Sequence, residues 1–212
     1  MNQKRIFVTG IGTGIGKTVI SAILAEAFHA DYWKPVQAGY EDGTDTDWIK
    51  RHIHNGDARV HPEVYKLKMP ASPHIAAREE NITISLEKIC AAVPKIKRNL
   101  IVEGAGGLMV PLNSTEFVAD LIISLKAKVI LISRNYLGSI NHSLLTANVA
   151  RQKQLPVLGW IFNDHYLNYE NDIAKWTNYP RLGSVPFTEN ATPEFVSVQA
   201  RIIREQFENF IC

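Results

Sequence analysis

Cysteine is nearly absent from this chain, and what is missing narrows the possible functions before any motif is considered. Only Cys90 and Cys212 are present, with no CxxC pair, so neither a disulfide framework nor a structural zinc site is expected, and a reducing compartment fits. Long apolar runs are missing too: residues 129–132 are typical of the longest, far below the ~20 residues of a membrane span. No apolar signal core precedes Arg5. The expectation is a soluble, cytoplasmic protein without a membrane partner. An excess of one charge is lacking as well: 23 Lys and Arg against 21 Asp and Glu give a net charge of +2. The basic residues are scattered, so there is no stripe for nucleic acid. His52, His54 and His61 have no metal-ligand spacing on a regular element and read as solvated. No repeat, low-complexity tract or nucleophile elbow with a Ser-His-Asp set is found.

What is present is enough apolar material for one good core: 46% of 212 residues are hydrophobic, which suits a single domain over residues 1–212. Short runs rich in branched residues at 6–8, 31–33, 100–102, 129–132 and 157–162 read as strands covered on both faces. Helical spacing falls between them, at about 18–28, 85–92, 118–126, 141–152, 169–177 and 193–210. In the last of these, Phe195, Val198, Ile202, Phe207 and Phe210 share one side, as in a helix packed on a core. Residues 39–71 read as long loops around a short helix near 47–52. The alternation predicts an α/β fold with a mainly parallel central sheet flanked by helices on both faces.

The first strand runs into VTGIGTGIGKT, residues 8–18. Glycines let consecutive amides turn inward around an anion, and the following helix adds positive potential. Lys17 is placed to reach β and γ phosphates, and the Thr18 hydroxyl to meet Mg²⁺. The spacing is a variant, with five residues between Gly10 and Gly16 where four are usual. Lys17 in a first helical turn opposes the helix dipole unless an anion sits there.

Ligands of parallel sheets gather beyond the carboxyl ends of the strands, and each end here carries candidates. Glu103 closes the third apolar strand, with its carboxylate near the phosphate loop. Asp42, Asp45 and Asp47 follow Lys34 in a loop; the choice for a metal shell falls on Asp47, which directly precedes the helix-like residues 48–51, with Asp45 its rival. Lys34 precedes Pro35 and is extended; its amine reads equally as a cleft cation or a surface group. Gly138, Ser139, Ile140 and Asn141 open a helix, with Ser139 or Asn141 as cap, and the free amides there suit a carboxylate as well as ordinary capping.

Taken with WKPVQAG (33–39), ASPHIA (71–76), VEGAGG (102–107), LGSINH (137–142) and GWIFND (159–164), the loop resembles the dethiobiotin synthetase family over most of the chain. The family is ATP-dependent and closes the ureido ring in biotin biosynthesis. The resemblance implies a P-loop NTPase-like fold, ATP and Mg²⁺ as cofactors, 7,8-diaminononanoate and CO₂ or bicarbonate as substrates, and a homodimer with substrate sites at the interface. It implies Lys34 and Lys17 as catalytic residues, and Thr18, Asp47 and Glu103 as metal ligands. Thr13, Gly14, Ile15, Gly16, Lys17, Thr18 and Val19 would wrap the phosphates, beside Gly104, Ala105 and Gly106, while Asn163, Asp164, Pro186, Phe187 and Thr188 would take the base. Lys34, Ala38, Ser72, Pro73, Gly106 and Gly107 would meet the substrate, and Leu137, Gly138, Ser139, Ile140 and Asn141 would be offered across the dimer to its carboxylate. Ala38 departs from the family, which commonly carries Ser or Thr there. The competing reading is a partition-type ATPase switch acting through a protein or membrane partner. Such switches carry a signature lysine six positions before the loop lysine, where this chain has Ile11.

Overall fold

Runs of branched apolar residues form strands here because both of their faces are covered by helices. The computed structural model describes residues 4–164 and 167–211, with side chains as far as residue 207. Cys212 and the Phe210 side chain, both invoked above, lie outside the described residues. In chain order the elements are β1 (Arg5–Gly10), α1 (Lys17–Ala27), β2 (Asp31–Trp33), β3 (Val36–Ala38), α2 (Asp45–His52), α3 (Gly56–Arg59), β4 (Val60–His61), β5 (Tyr65–Leu67) and α4 (Pro73–Glu79). They continue as α5 (Leu86–Ala91), β6 (Leu100–Glu103), α6 (Val118–Ser124), β7 (Lys128–Arg134), α7 (Ser139–Gln152), β8 (Val157–Asn163), α8 (Glu170–Thr177), β9 (Arg181–Val185) and α9 (Pro193–Ile211).

Seven strands form one sheet in the order β4-β2-β6-β1-β7-β8-β9, with every neighbouring pair parallel. A second, two-stranded parallel sheet joins β3 to β5. Side chains alternate between two cores. Phe7, Leu100, Val102, Val129, Leu131, Trp160 and Phe162 face the side covered by α4 to α8. Ile6, Val8, Ile101, Ile130, Ile132 and Ile161 face α1, α2 and α9. The period of two is hidden in the sequence because both faces are apolar.

The parallel order puts the carboxyl ends of β1, β2, β6, β7 and β8 at one edge, where the loops that follow them meet. The sequence missed β3, β4, β5 and β9 and the helices α3 and α4. Strands of two or three residues carry no measurable alternation, and β9 begins with Arg181 and contains Gly183. The stretch 39–71, expected as long loops around one helix, instead holds α2, α3, β4 and β5. The expected cap of α7 is also corrected: Gly138, at φ +102, is the N-cap, and among the described residues no side chain caps the helix. The Ser139 hydroxyl turns back instead, accepting from the Tyr136 amide and pairing with the Tyr169 hydroxyl.

Phe162 is fully buried and stacks on Trp160 with ring centroids 6.1 Å apart. Phe162→Ala is expected to lower unfolding free energy by about 3–5 kcal/mol, read from urea denaturation. A loss below about 1 kcal/mol would mean that this face of the sheet is not core.

Candidate active site

Gly16 decides the shape of the phosphate loop. It is the N-cap of α1 at φ +89, and a Cβ there would collide with the Asn163 amide. Among the described residues no side chain caps α1, and Ile20 is the first residue whose amide finds an intrahelical acceptor, the carbonyl of Gly16. The amides of Lys17, Thr18 and Val19 therefore open the helix toward any anion in front of it. Asn163 secures the loop from β8, its Nδ2 donating to the Ile15 carbonyl at 3.0 Å.

In front of this helix end lies an open cavity of about 900 Å³. Besides Asp42, Arg51 and Glu189, its lining holds four charged groups that meet near the helix end, Lys17, Lys34, Asp45 and Glu103. Lys17 is buried and its Nζ donates to the Gly12 carbonyl at 2.6 Å. Lys34, extending past β2, forms ion pairs with Asp45 and, at 3.2 Å, with Oε1 of Glu103. The Thr18 hydroxyl stands 2.9 Å from Asp45 Oδ1 and 3.0 Å from Glu103 Oε1. The Tyr32 hydroxyl donates to Glu103 Oε2 at 3.0 Å.

Burial works against every charge in this set, and the partners decide the outcome. Burial pulls the Lys17 pKa down to about 8, against the opposing attraction of Glu103. For Lys34 burial acts in the same direction, but Glu103 and Asp45 outweigh it and raise the pKa above the ordinary value, so the group is an ammonium at neutral pH. Burial would raise the Asp45 pKa, yet Lys34 and the Thr18 hydrogen bond bring it below the usual carboxylate range. Tyr32 is pushed well above the usual phenol by burial and by Glu103, and stays a hydrogen-bond donor.

A divalent cation fits this donor set. Thr18 has one hydroxyl hydrogen but stands within hydrogen-bond distance of two carboxylate oxygens, so one oxygen-oxygen contact lacks a proton. A hard cation among Thr18, Asp45 and Glu103 would relieve that crowding. Among the described residues no three His, Cys, Asp or Glu side chains form a metal cage; a cation that keeps water and phosphate ligands needs none.

Of the residues singled out in the sequence, Thr13, Gly14, Gly16, Lys17, Thr18, Val19, Lys34, Ala38, Ser72, Pro73, Glu103, Ala105, Gly106 and Thr188 line the cavity. Asp47 does not. It sits on α2 two residues beyond Asp45, where its amide donates to Thr44 Oγ1 and its carboxylate accepts from the same hydroxyl. That Thr44 hydrogen bond lowers the Asp47 pKa; Asp45 is the acid that the fold brings to Thr18, Lys34 and Glu103. Ile15 is buried in the core. Gly104 and Gly107 are small for packing: a Cβ on Gly104 would stand 2.6 Å from the Phe7 ring, and one on Gly107 2.9 Å from the Gly10 carbonyl. Asp164 stands 3.8 Å from Arg134, whose guanidinium lies over the Phe187 ring, and Pro186 precedes that ring outside the cavity lining. Leu137, Gly138, Ser139, Ile140 and Asn141 stand apart from the cavity lining, at the start of α7.

Sequence reasoning missed Tyr32, Gln37 and Trp48. Gln37 is buried against the cavity and its Oε1 accepts from the Asp45 amide at 3.4 Å. Trp48 lines the same cavity and stacks on His52, with centroids 3.7 Å apart. The only signal for Tyr32 was strand parity, which places it on the same face as Glu103 once the β2–β6 register is known.

The family model described as "AAA domain" matches residues 4–194. An ATP-dependent dethiobiotin synthetase of Cytophaga hutchinsonii is 48% identical over 201 residues, covering 93% of this chain and 96% of that protein. One from Rhodopseudomonas palustris is 44% identical over 209 residues, covering 98% and 94%. Among solved structures, the MinC:MinD cell division protein complex of Aquifex aeolicus superposes with a TM-score of 0.60 at 13% identity, over 97% of this chain and 94% of that one. A ParA family ATPase from Chlorobium tepidum gives 0.57 at 14% identity, over 100% and 97%. These structures share the P-loop fold; at that identity they carry nothing about activity.

The buried Lys17 gives a pH prediction. A triphosphate binds the ammonium, so above pH 8 the lysine must take up a proton to bind. Affinity for a nucleoside triphosphate is expected to fall as pH rises through about 8, approaching tenfold per pH unit above it, with net proton uptake. Calorimetry in buffers of different ionisation enthalpy reads both. A flat profile between about pH 7 and 9 without proton uptake would remove Lys17 from the phosphate contacts.

Proposed function

The chain belongs to the ATP-dependent dethiobiotin synthetase family, and on that premise we propose that it makes dethiobiotin from 7,8-diaminononanoate, CO₂ and ATP, releasing ADP and phosphate. The observation that carries this reading is the meeting of Lys17, Lys34, Thr18, Asp45 and Glu103 in one cavity that Ala38, Ser72 and Gly106 also line. The protein acts as one domain in the cytoplasm. That location agrees with its need for ATP and with a chain that holds only two cysteines.

The chemistry divides into positioning and charge neutralisation. One amine of the diamine adds to CO₂ and loses a proton, giving a carbamate. A carbamate oxygen then attacks the γ phosphorus, the bond to the ADP oxygen breaks, and a carbamic-phosphoric anhydride forms. The second amine attacks its carbonyl carbon; phosphate leaves, a proton is lost and the ring closes. Lys17 exchanges the Gly12 carbonyl for phosphate oxygens. Lys34, held as an ammonium by two carboxylates, faces the transferring phosphoryl group and stabilises charge that develops there. Mg²⁺ held by Thr18, Asp45 and Glu103 supplies further positive charge to the phosphate oxygens.

The substrate site is completed in a homodimer. Leu137 is 88% exposed and Gly138 leaves the start of α7 without a side-chain cap. Support for a cross-subunit role comes from their position outside the cavity of their own chain. The segment Leu137, Gly138, Ser139, Ile140 and Asn141 of one subunit is thereby offered to the substrate carboxylate bound by the other, with the amides of Ile140 and Asn141 as its donors, since the Ser139 amide already donates to the Tyr136 carbonyl at 2.9 Å. Asn163, Asp164, Pro186, Phe187 and Thr188 form the base side of the nucleotide site. A partition-type switch has less support, because its structural relatives match at only 13–14% identity and Ile11 stands in the place of their signature lysine.

The decisive assay is phosphate release from MgATP and bicarbonate, with and without 7,8-diaminononanoate, with the product identified by mass. Release that needs the diamine and yields dethiobiotin is expected; release indifferent to the diamine would favour a switch ATPase. Lys34→Ala is expected to lower turnover by at least about 10²-fold with the fold intact by circular dichroism, and wild-type turnover would exclude its role. In a Mg²⁺ titration of turnover, Asp45→Asn is expected to shift half-saturation upward by about tenfold or more, while Asp47→Asn leaves it in place. The reverse pattern would return the metal role to Asp47.

A further inference from the structure

Glu103 ends β6 almost wholly buried, at 1% exposure, and both its oxygens are spoken for. Oε1 faces the cavity and meets Thr18 at 3.0 Å and Lys34 at 3.2 Å. Oε2 faces the sheet and accepts from Tyr32 at 3.0 Å. The β2–β6 register pairs Tyr32 with Ile101, and Glu103 lies two residues beyond Ile101 on the same strand face. The phenol therefore reaches the carboxylate from below the cavity floor. Tyr32 is itself wholly buried within the core that α1 and α2 cover, so its ring has no space in which to turn away.

We propose that Tyr32 is a positioning residue for metal binding: by holding Oε2 of Glu103 it presents Oε1 alone to the cation. This rests on the reading of Glu103 as a metal ligand. A small octahedral cation such as Mg²⁺ takes carboxylates through one oxygen and tolerates little error in ligand placement. A carboxylate free to rotate would offer either oxygen and lose part of that preorganisation. Partners of this kind behind a ligand are worth about 10–100-fold in metal affinity or activity. A second consequence concerns Lys34, which shares Oε1 with Thr18: when Oε2 is fixed, ammonium and cation are directed to a single oxygen, and the lysine is poised to release it as the cation arrives.

Calorimetric titration of ATP, with Mg²⁺ and separately with EDTA, tests this on Tyr32→Phe without relying on turnover. Tyr32→Phe keeps the ring that fills the core and removes only the hydroxyl, and its folding is checked by circular dichroism and urea denaturation. ATP affinity in EDTA is expected to match wild type, while the gain on adding Mg²⁺ falls about tenfold. Turnover at saturating Mg²⁺ is expected to return close to wild type, and KM for the diamine to stay unchanged. In a Glu103→Gln background, Tyr32→Phe should have no further effect on the Mg²⁺ gain. An unchanged gain in Tyr32→Phe, or an equal loss in both backgrounds, would overturn the proposal and leave Tyr32 as packing. If wild type shows no Mg²⁺ gain, or if Glu103→Gln retains all of it, the assignment of Glu103 as a ligand falls, and this proposal with it.

Discussion

Lys17, Lys34 and Glu103 are buried around one cavity with Asp45 half-buried beside them, and the structure depends on these charges neutralising one another. An isolated buried charge is costly, and a pair survives only with good geometry and further hydrogen bonds. Lys34, Asp45, Glu103 and Thr18 meet those conditions together. They reach one point from the end of β2, the start of α2, the end of β6 and the first turn of α1, so sheet order and helix placement must all be correct for any of them to be satisfied. The balance also leaves the site ready for a polyanion. Among the described residues Lys17 donates a hydrogen bond to a backbone carbonyl alone, so its charge is available to a phosphate without breaking an ion pair.

The glycines around the cavity are set by the fold, and Gly106, which lines the cavity, is no exception: at φ +71 its Cβ would stand 2.6 Å from Val110. Gly16 turns the loop at a positive φ against Asn163, and Gly104 and Gly107 let β6 and its following loop pass Phe7 and the Gly10 carbonyl. Only Ala105 and Gly106 of this glycine-rich stretch face the cavity beyond Glu103. The stretch therefore serves sheet packing as much as substrate space, and a side chain on either side of Ala105 and Gly106 would displace strands before it touched a ligand.

The long elements and the phosphate loop were legible because they repeat a local pattern. Lys17, Thr18 and Glu103 were singled out from the strand-turn-helix context and the end of an apolar run, and all three line the cavity. Asp45 against Asp47 shows where local pattern stops. Two residues apart on a helix are nearly opposite in direction, so one acid enters the cavity and the other cannot. The choice turns on where α2 begins, and Thr44 decides it by capping the helix at Asp45 and engaging Asp47. The start of α7 shows the same limit: Gly138 rather than a polar side chain is the N-cap, and Ser139 is drawn into contacts with Tyr136 and Tyr169 from a distant segment.

By itself the sequence determined the class of the protein: a parallel α/β sheet, a phosphate-binding loop with its lysine, and a strand-end acid, while Lys34 read equally as a cleft cation or a surface group. These follow from short-range rules, since burial on both faces selects branched residues and a phosphate cradle selects glycines followed by Lys and Thr. Tertiary structure alone decided which oxygen meets which cation. The β2–β6 register aligns Tyr32 with Glu103, the direction of α2 selects Asp45, and Gln37 on β3 fixes the amide of that residue. Each of these contacts joins strands or helices distant in the chain, and no local periodicity encodes the register between them.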